Sequence, residues 1–307
     1  MVSNGKILCP IDFSDFSLDA LRHGLVLAQW YSAQLTLFHV YQASQPLPVE
    51  GTPGGVPVFV AADPNQKAEE VRRFCAPLLD ASGQSVEIVV RPGDAAKEIR
   101  TEAERLPYDL LILGTHGRSG FERLFLGSDT EKVLRSTPVP VLTIPPPVRE
   151  PGSPLYKTIL CPLDFSPSSI RALENALSLA QRADARLILM HVIEDVLSDA
   201  ATQAMALANL SVSEYYQHLE KDAATRLKGV LPDDARVWSR PEERVVKGRA
   251  YDEILKVVAD ERVELVVMGV QGKGVVNRLM FGSTTHRVIR EAGCPVLTLH
   301  SGSVGAQ

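Results

Sequence analysis

One phrase occurs twice in this chain. Ile7–Ser14 reads ILCPIDFS, and Ile159–Ser166 reads ILCPLDFS. A glycine pattern recurs with it. Gly114-Thr115-His116-Gly117 is followed after nine residues by Gly127-Ser128, and Gly269-Val270-Gln271-Gly272 is followed after nine by Gly282-Ser283. A repeat of about 150 residues is far longer than a solenoid unit and is the size of a whole domain. The 307 residues therefore read as two copies of one domain. The boundary is placed near residue 149, giving domains 1–148 and 149–307. The run Pro145-Pro146-Pro147, Pro151-Gly152 and Pro154 serves as a stiff linker.

Within each copy, short apolar runs alternate with helical patterns. In the first, strands are expected at Lys6–Cys9, Gln34–Val40, Val86–Val90, Leu110–Leu113 and Val139–Ile144. Helices are expected over Ser17–Tyr31, from a cap at Asp63 or Asn65 to about Ala81, over Asp94–Arg105, and from Ser128 to about Ser136. The second copy repeats the order, with strands at Thr158–Cys161, Arg186–Val192, from Val237 or Glu243 to Lys247, Leu265–Met268 and Pro295–Leu299. Strict alternation implies α/β domains, each a parallel sheet with helices on both faces. The copies differ most after the second strand. The first carries the Pro- and Gly-rich PLPVEGTPGGVPVFVAADP, and the second carries EDVLSDAATQAMALANLSVSEYY, which looks helical. Each is either a lid over a site or a tolerated surface insertion.

Charge limits the partners. Residues 1–148 hold 13 basic and 17 acidic side chains, and residues 149–307 hold 19 and 20. Neither half is basic, so a nucleic-acid footprint is not expected. No apolar run is long enough for a membrane span, and the N-terminus lacks a signal-peptide layout. Cys9, Cys75, Cys161 and Cys294 form no CxxC pair and show no zinc spacing. Cys9 and Cys161 end buried strands as small hydrophobes. A reducing cytoplasm is the expected location.

Gly114 and Gly269 fall at the carboxyl end of the fourth strand, the edge where open parallel sheets bind ligands. Asp12 and Asp164 end the first strand and face the same crevice if the strand order is 3-2-1-4-5. Glycines there let the backbone approach a ligand. Gly127-Ser128 and Gly282-Ser283 sit at a helix N-terminus, where N–H groups and the helix dipole favour an anion. Arg118, Arg123, Lys273 and Arg278 could neutralise phosphate charge. Each copy thus offers a phosphate cradle and, about a nucleotide's length away, an acid that can accept bonds from sugar hydroxyls. Plainer readings stand beside these. Ser128 and Ser283 could be helix N-caps, Asp12 and Asp164 could cap the next helix, and the basic residues could be solvated loop charges. His39 and His191, matched near the end of the second strand, read as packing beside the crevice rather than metal ligands. Duplication explains shared residues, but not their survival while the surrounding sequence diverged.

With these motifs the chain resembles a tandem universal stress protein over essentially its whole length. The family pattern G-x-x-G-x9-G-[ST], found in members that bind ATP, is met in both halves, and GTHGRSGFERLFLGS and PVPVLTIPP are specific phrases. The resemblance implies two tandem Rossmann-like domains of the adenine nucleotide alpha hydrolase-like type, each with five parallel strands in order 3-2-1-4-5. It implies ATP as ligand, with Mg²⁺ as a candidate companion. Phosphate binding would fall on Gly114, Gly117, Gly127 and Ser128, and on Gly269, Gly272, Gly282 and Ser283, with Thr115, His116, Arg118 and Asp129, and Val270, Lys273 and Thr284, as further cofactor-site candidates beside them. Asp12 and Asp164 would lie near ribose and adenine, and Val40 and Val192 would touch adenine. Pro10, Ile11, Leu113, Pro162, Leu163 and Met268 would complete the walls. The domains would pair within the chain through their last strands, or with a second chain in a homodimer. Two departures stand out: Asp129 follows the serine where the second copy has Thr284, and Gln271-Gly272-Lys273 replaces the His-Gly-Arg of the first loop.

No nucleophile–base pair and no G-x4-GK-[ST] loop is visible. The leading expectation is an ATP-binding regulatory protein of the stress response with little or no turnover. The alternatives are a slow ATPase or phosphotransfer enzyme at the same crevice, and a binding module for a lipid-like or other adenine-containing ligand.

Overall fold

The computed structural model describes residues 4–47, 58–115, 127–146, 156–194, 211–232, 235, 241–270 and 282–300. The chain divides into two compact units, Met1–Pro154 and Leu155–Gln307.

The first unit runs β1 (Lys6–Pro10), α1 (Asp15–Tyr31), β2 (Gln34–Tyr41), β3 (Ser44–Leu47), β4 (Val58–Ala61), α2 (Pro64–Ser82), β5 (Val86–Pro92), α3 (Ala95–Arg105), β6 (Leu110–Gly114), α4 (Ser128–Ser136) and β7 (Val141–Ile144). Its main sheet is parallel, in order β5-β2-β1-β6-β7, which is the expected 3-2-1-4-5. Helix α1 packs on β1, β2, β6 and β7 and against α2, whereas α3 packs against α4, so the two pairs cover opposite faces. The inner strands are apolar on both sides: Ile7, Leu8, Cys9, Leu110, Leu111 and Ile112 are all fully buried, as a sheet covered twice requires.

The second unit runs β8 (Thr158–Pro162), α5 (Pro167–Ala183), β9 (Arg186–Ile193), α6 (Val212–Gly229), β10 (Glu242–Lys247), α7 (Ala250–Asp260), β11 (Leu265–Gly269), α8 (Ser283–Glu291) and β12 (Val296–Leu299). Its strands follow the same order, β10-β9-β8-β11-β12, and pair in parallel.

Local chemistry sets the element ends. Ser14 caps α1 by accepting from the Ser17 N–H, so the helix starts at Asp15 rather than Ser17. Of the two candidate caps for α2, Asp63 takes the role, with Pro64 in the first turn and Gly83 (φ 63°) ending it. Strand β7 starts at Val141, after Pro140, which has no N–H for the ladder. Strand β10 starts at Glu242, and Val237 lies outside the described residues. The Pro- and Gly-rich insertion contains the antiparallel β3–β4 pair, Ser44 opposite Ala61 and Leu47 opposite Val58. The β-branched VFV of β4 was the available signal. The helical appearance of the second insertion falls mostly on residues 195–210, outside the described residues.

The edge of the second sheet carries an ion network. Arg186 pairs with Glu242 and, at 2.8 Å, with Glu261; Arg244 pairs with Glu242 and, at 2.6 Å, with Glu261. The first cause in each case, hydrogen bonding to Arg186, holds the Glu242 and Glu261 carboxyls below their ordinary value of 4.5. Depressed folded-state values mean that the unfolded chain takes up protons first. The network's contribution is therefore full above about pH 4.5 and is lost as pH falls through the folded values. Denaturant titrations between pH 6 and pH 3 are expected to show a steeper acid loss of stability for the native chain than for Arg186→Gln with Arg244→Gln. Equal slopes would show that solvent screening cancels the network.

Candidate functional site

The loop after β1 is built the same way in both units. The Asp12 carboxylate accepts from the Ser14 backbone N–H at 3.0 Å, and Asp164 accepts from that of Ser166 at 3.0 Å. Ser14 and Ser166 in turn cap α1 and α5. The acids thus position the capping serines rather than cap the helices themselves. Between them, Phe13 (φ 64°) and Phe165 (φ 61°) are left-handed. That costs a bulky residue about 1–2 kcal/mol, so other contacts must hold it there. The rings pack at a tilt against His39, with centroids 4.6 Å apart, and against His191, with centroids 4.7 Å apart. The histidines are braces. His39 Nδ1 lies 2.7 Å from the Ile11 carbonyl and His191 Nδ1 lies 2.6 Å from that of Leu163. A carbonyl only accepts, so Nδ1 carries the proton and ties the end of the second strand to the loop after the first.

The glycine positions divide by role. A Cβ on Gly269 would stand 2.5 Å from Ser168 Oγ and 2.8 Å from the Ser168 carbonyl carbon and the Ser169 nitrogen. On Gly114 it would stand 3.0–3.2 Å from Phe16. Both are glycine because the first turn of α1 or α5 passes against them. Gly127 and Gly282 are the N-cap residues of α4 and α8, and neither helix has a side-chain cap. Ser128 and Ser283 are therefore first-turn residues, not caps. Among the described residues no side chain caps the first-turn N–H groups, which suit an outside acceptor. Thr130 Oγ1 donates to the Gly114 carbonyl and Thr285 Oγ1 to that of Gly269, each at 3.0 Å, locking the helix start to the strand end. These threonines escaped sequence reading, although GSDT and GSTT share them. Gly127 N–H donates to Thr115 O at 2.8 Å and Gly282 N–H to Val270 O at 3.0 Å, so the two ends of each glycine loop meet.

In the second unit these parts surround a cavity of about 550 Å³. Of the sequence candidates, Pro162, Leu163, Asp164, Val192, Met268, Gly269, Gly282, Ser283 and Thr284 line it. Val270 does not: it is buried beneath, its N–H donating to Leu299 O. Sequence reading also missed Phe165, Ser169, Glu194 and, from α6, Asp222 and Arg226. In the first unit, Pro10, Ile11, Asp12, Val40, Leu113, Gly114 and Thr115 stand at the carboxyl ends of β1, β2 and β6, and Gly127, Ser128 and Asp129 open α4. Ile11, Leu113 and Thr115 are buried, while Ser128 and Asp129 are exposed. Asp129 lies 3.5 Å from Lys132 on its own helix. His116, Gly117, Arg118, Arg123, Gly272, Lys273 and Arg278 lie outside the described residues.

The four cysteines are buried. Burial pushes the Cys9 and Cys161 thiols far above their ordinary value and Cys75 and Cys294 up to about 12, so none is a poised thiolate. Among the described residues no group of three His, Cys, Asp or Glu side chains could hold a metal ion, and no helix is long and apolar enough to cross a membrane.

The sequence pattern of the universal stress protein family matches residues 3–145 and again 155–300. A universal stress protein of Methanocaldococcus jannaschii is 30% identical over 147 residues, 47% of this chain and 84% of that protein. One of Synechocystis is 27% identical over 239 residues, 76% of this chain and 72% of its own length. Among solved structures, a universal stress protein of Archaeoglobus fulgidus aligns with TM-score 0.66 and 23% identity, covering 97% of this chain and 99% of that one. At that identity the likeness speaks to the fold.

Proposed function

The chain belongs to the universal stress protein family, with two copies of its domain in tandem, and from that premise we propose that it binds adenine nucleotide, ATP in the first instance, as a regulatory protein with little or no turnover. One observation carries this reading. The α8 N-terminus, with no side-chain cap, opens into a roomy crevice that also holds Asp164 and apolar side chains. Free N–H groups on a helix dipole suit phosphates. Asp164, whose Oδ1 accepts from the Ser166 N–H, brings a hydrogen-bond acceptor to the crevice of the kind ribose hydroxyls use. Pro162, Val192 and Met268 offer apolar surface to a base. The residues present fit the nucleotide on polarity and volume, and phosphate charge would be met by the helix N-terminus, since Asp164, Glu194 and Asp222 outnumber Arg226 in the lining. Mg²⁺ has no comparable support, since Asp129 faces Lys132.

Binding would act by favouring one conformation over another. Calorimetry with ATP is expected to show a dissociation constant in the micromolar range, about −8 kcal/mol, at up to two sites per chain. Ligand released from freshly purified protein and identified by mass spectrometry should be an adenine nucleotide. Absence of binding by a folded chain would overturn the proposal. Sustained phosphate release at many turnovers would move the reading to a slow ATPase.

A further inference from the structure

Two charged side chains line the cavity from α6, one turn apart: Arg226 and Asp222. The Arg226 guanidinium lies over the Phe165 ring, 4.1 Å from its centroid. Its Nη1 is 4.0 Å from Asp222 Oδ2. The first unit differs at the same turn. Val71 and Cys75 of α2 are buried as Ala223 and Leu227 of α6 are, which fixes the register and sets Phe74 where Arg226 stands. Phe74 meets Phe13 edge-on at 5.3 Å, and Glu70, the counterpart of Asp222, is held by Lys67 at 2.8 Å.

Strand order places this pair relative to the phosphate end. β11 leads to α8, β8 lies between, and β9 lies on the far side, with α6 packed on β9 and β10. Neighbouring strands are about 4.8 Å apart, so the α6 wall stands roughly two strand spacings from the helix terminus. A nucleotide with its phosphates at α8 would bring its base there.

Resting on the nucleotide reading, we infer that Arg226 and Asp222 read the edge of the base and make the second crevice select adenine over guanine. The purine edge carrying N7 shows adenine as an acceptor (N7) beside a donor (the N6 amino group), and guanine as two acceptors (N7 and O6). Arginine only donates and ionised aspartate only accepts. A donor beside an acceptor matches adenine, whereas against guanine the carboxylate faces O6. Stacking on Phe165 holds the planar guanidinium so that its N–H groups point out past the ring. The first unit has an aromatic edge at that position and no such pair, so it takes either purine.

The test is calorimetry with ATP and GTP on the full chain carrying Ser128→Glu to silence the first crevice, and on the same chain with Arg226→Phe or Asp222→Leu. Both positions are substantially exposed, and phenylalanine is the first unit's own residue there, so folding should survive; thermal melts check it. The expected result is about a tenfold preference for ATP, lost or reversed in Asp222→Leu, where the arginine alone suits the two acceptors of guanine, and kept in Arg226→Phe with weaker binding of ATP. A parent chain without preference, or a preference unchanged in Asp222→Leu, overturns the inference and leaves the nucleotide reading standing. Failure of both nucleotides to bind the parent chain and also the chain without Ser128→Glu overturns the two together.

Discussion

Replacing Ser283 with glutamate is expected to silence the second crevice while leaving its unit at least as stable. Ser283 is exposed in the first turn of α8 and lines the cavity. A carboxylate about 5 Å from a phosphate charge costs roughly 3 kcal/mol at an effective dielectric of 20, and salt removes part of that. Nucleotide affinity should fall by about thirty-fold or more. The same charge favours the helix itself, since an acid near a helix N-terminus contributes about 0.3–1 kcal/mol. The two effects have opposite signs, which separates lost binding from lost fold. Calorimetry should show one site per chain rather than two, and the melting temperature should hold or rise. Undiminished ATP binding would show that the phosphates lie elsewhere. Asp129 already places an acid in the corresponding turn of the first unit, so the native second crevice should bind the tighter of the two, by less than this factor because Lys132 at 3.5 Å offsets part of the charge.

The second large effect concerns glycines that share a motif position but not a tolerance. Gly269→Ala would force a Cβ to within 2.8 Å of the α5 backbone. Backbone cannot rotate away as a side chain can, so α5 or the end of β11 must move. Overpacking of this kind costs about 1–3 kcal/mol, occasionally more, and we expect the second unit to lose about 3 kcal/mol. Gly114→Ala meets Phe16 at 3.0 Å or beyond and should cost about 1 kcal/mol. Denaturant melts of the two variants decide it. Equal losses would mean that α5 shifts as readily as α1. The same geometry argues against probing the cradle with Gly282→Val, because a Cβ there already stands 3.0 Å from the Val270 carbonyl. Lost binding in that variant could reflect a displaced loop.

Sheet order, helix positions and the crevice between the first and fourth strands were legible, because apolar runs such as Leu110–Ile112 and Leu265–Val267, too short for helices and set between helical patterns, read as strands buried on both faces. The duplicated phrases pointed to loops at the carboxyl edge of each sheet, some of whose residues line the cavity of the second unit. What was not legible was the division of labour inside them. Sequence cannot say that Gly269 is small for the sake of α5, or that Gly282 rather than Ser283 is the cap, since both depend on where another element passes. Asp12 was read as a candidate cap and turns out to hold the cap, Ser14, in place, a distinction of one hydrogen bond. Arg226 and Asp222 gave no signal at all. They sit on the helix where the two copies have diverged, and nothing local marks a surface arginine as one that stacks over a left-handed phenylalanine.

The glycine loops have a consequence for how such a protein can change over generations. In each, strand end and helix start are tied by a backbone bond, from Gly127 to Thr115 or from Gly282 to Val270, and by a threonine bond, from Thr130 to Gly114 or from Thr285 to Gly269. Both ties are made by residues outside 116–126 and 271–281. Sequence change within those stretches leaves these ties in place. Duplicate crevices built this way can change ligand preference while keeping their scaffolds, and HGR in one copy against QGK in the other is a sequence change at the right place for it.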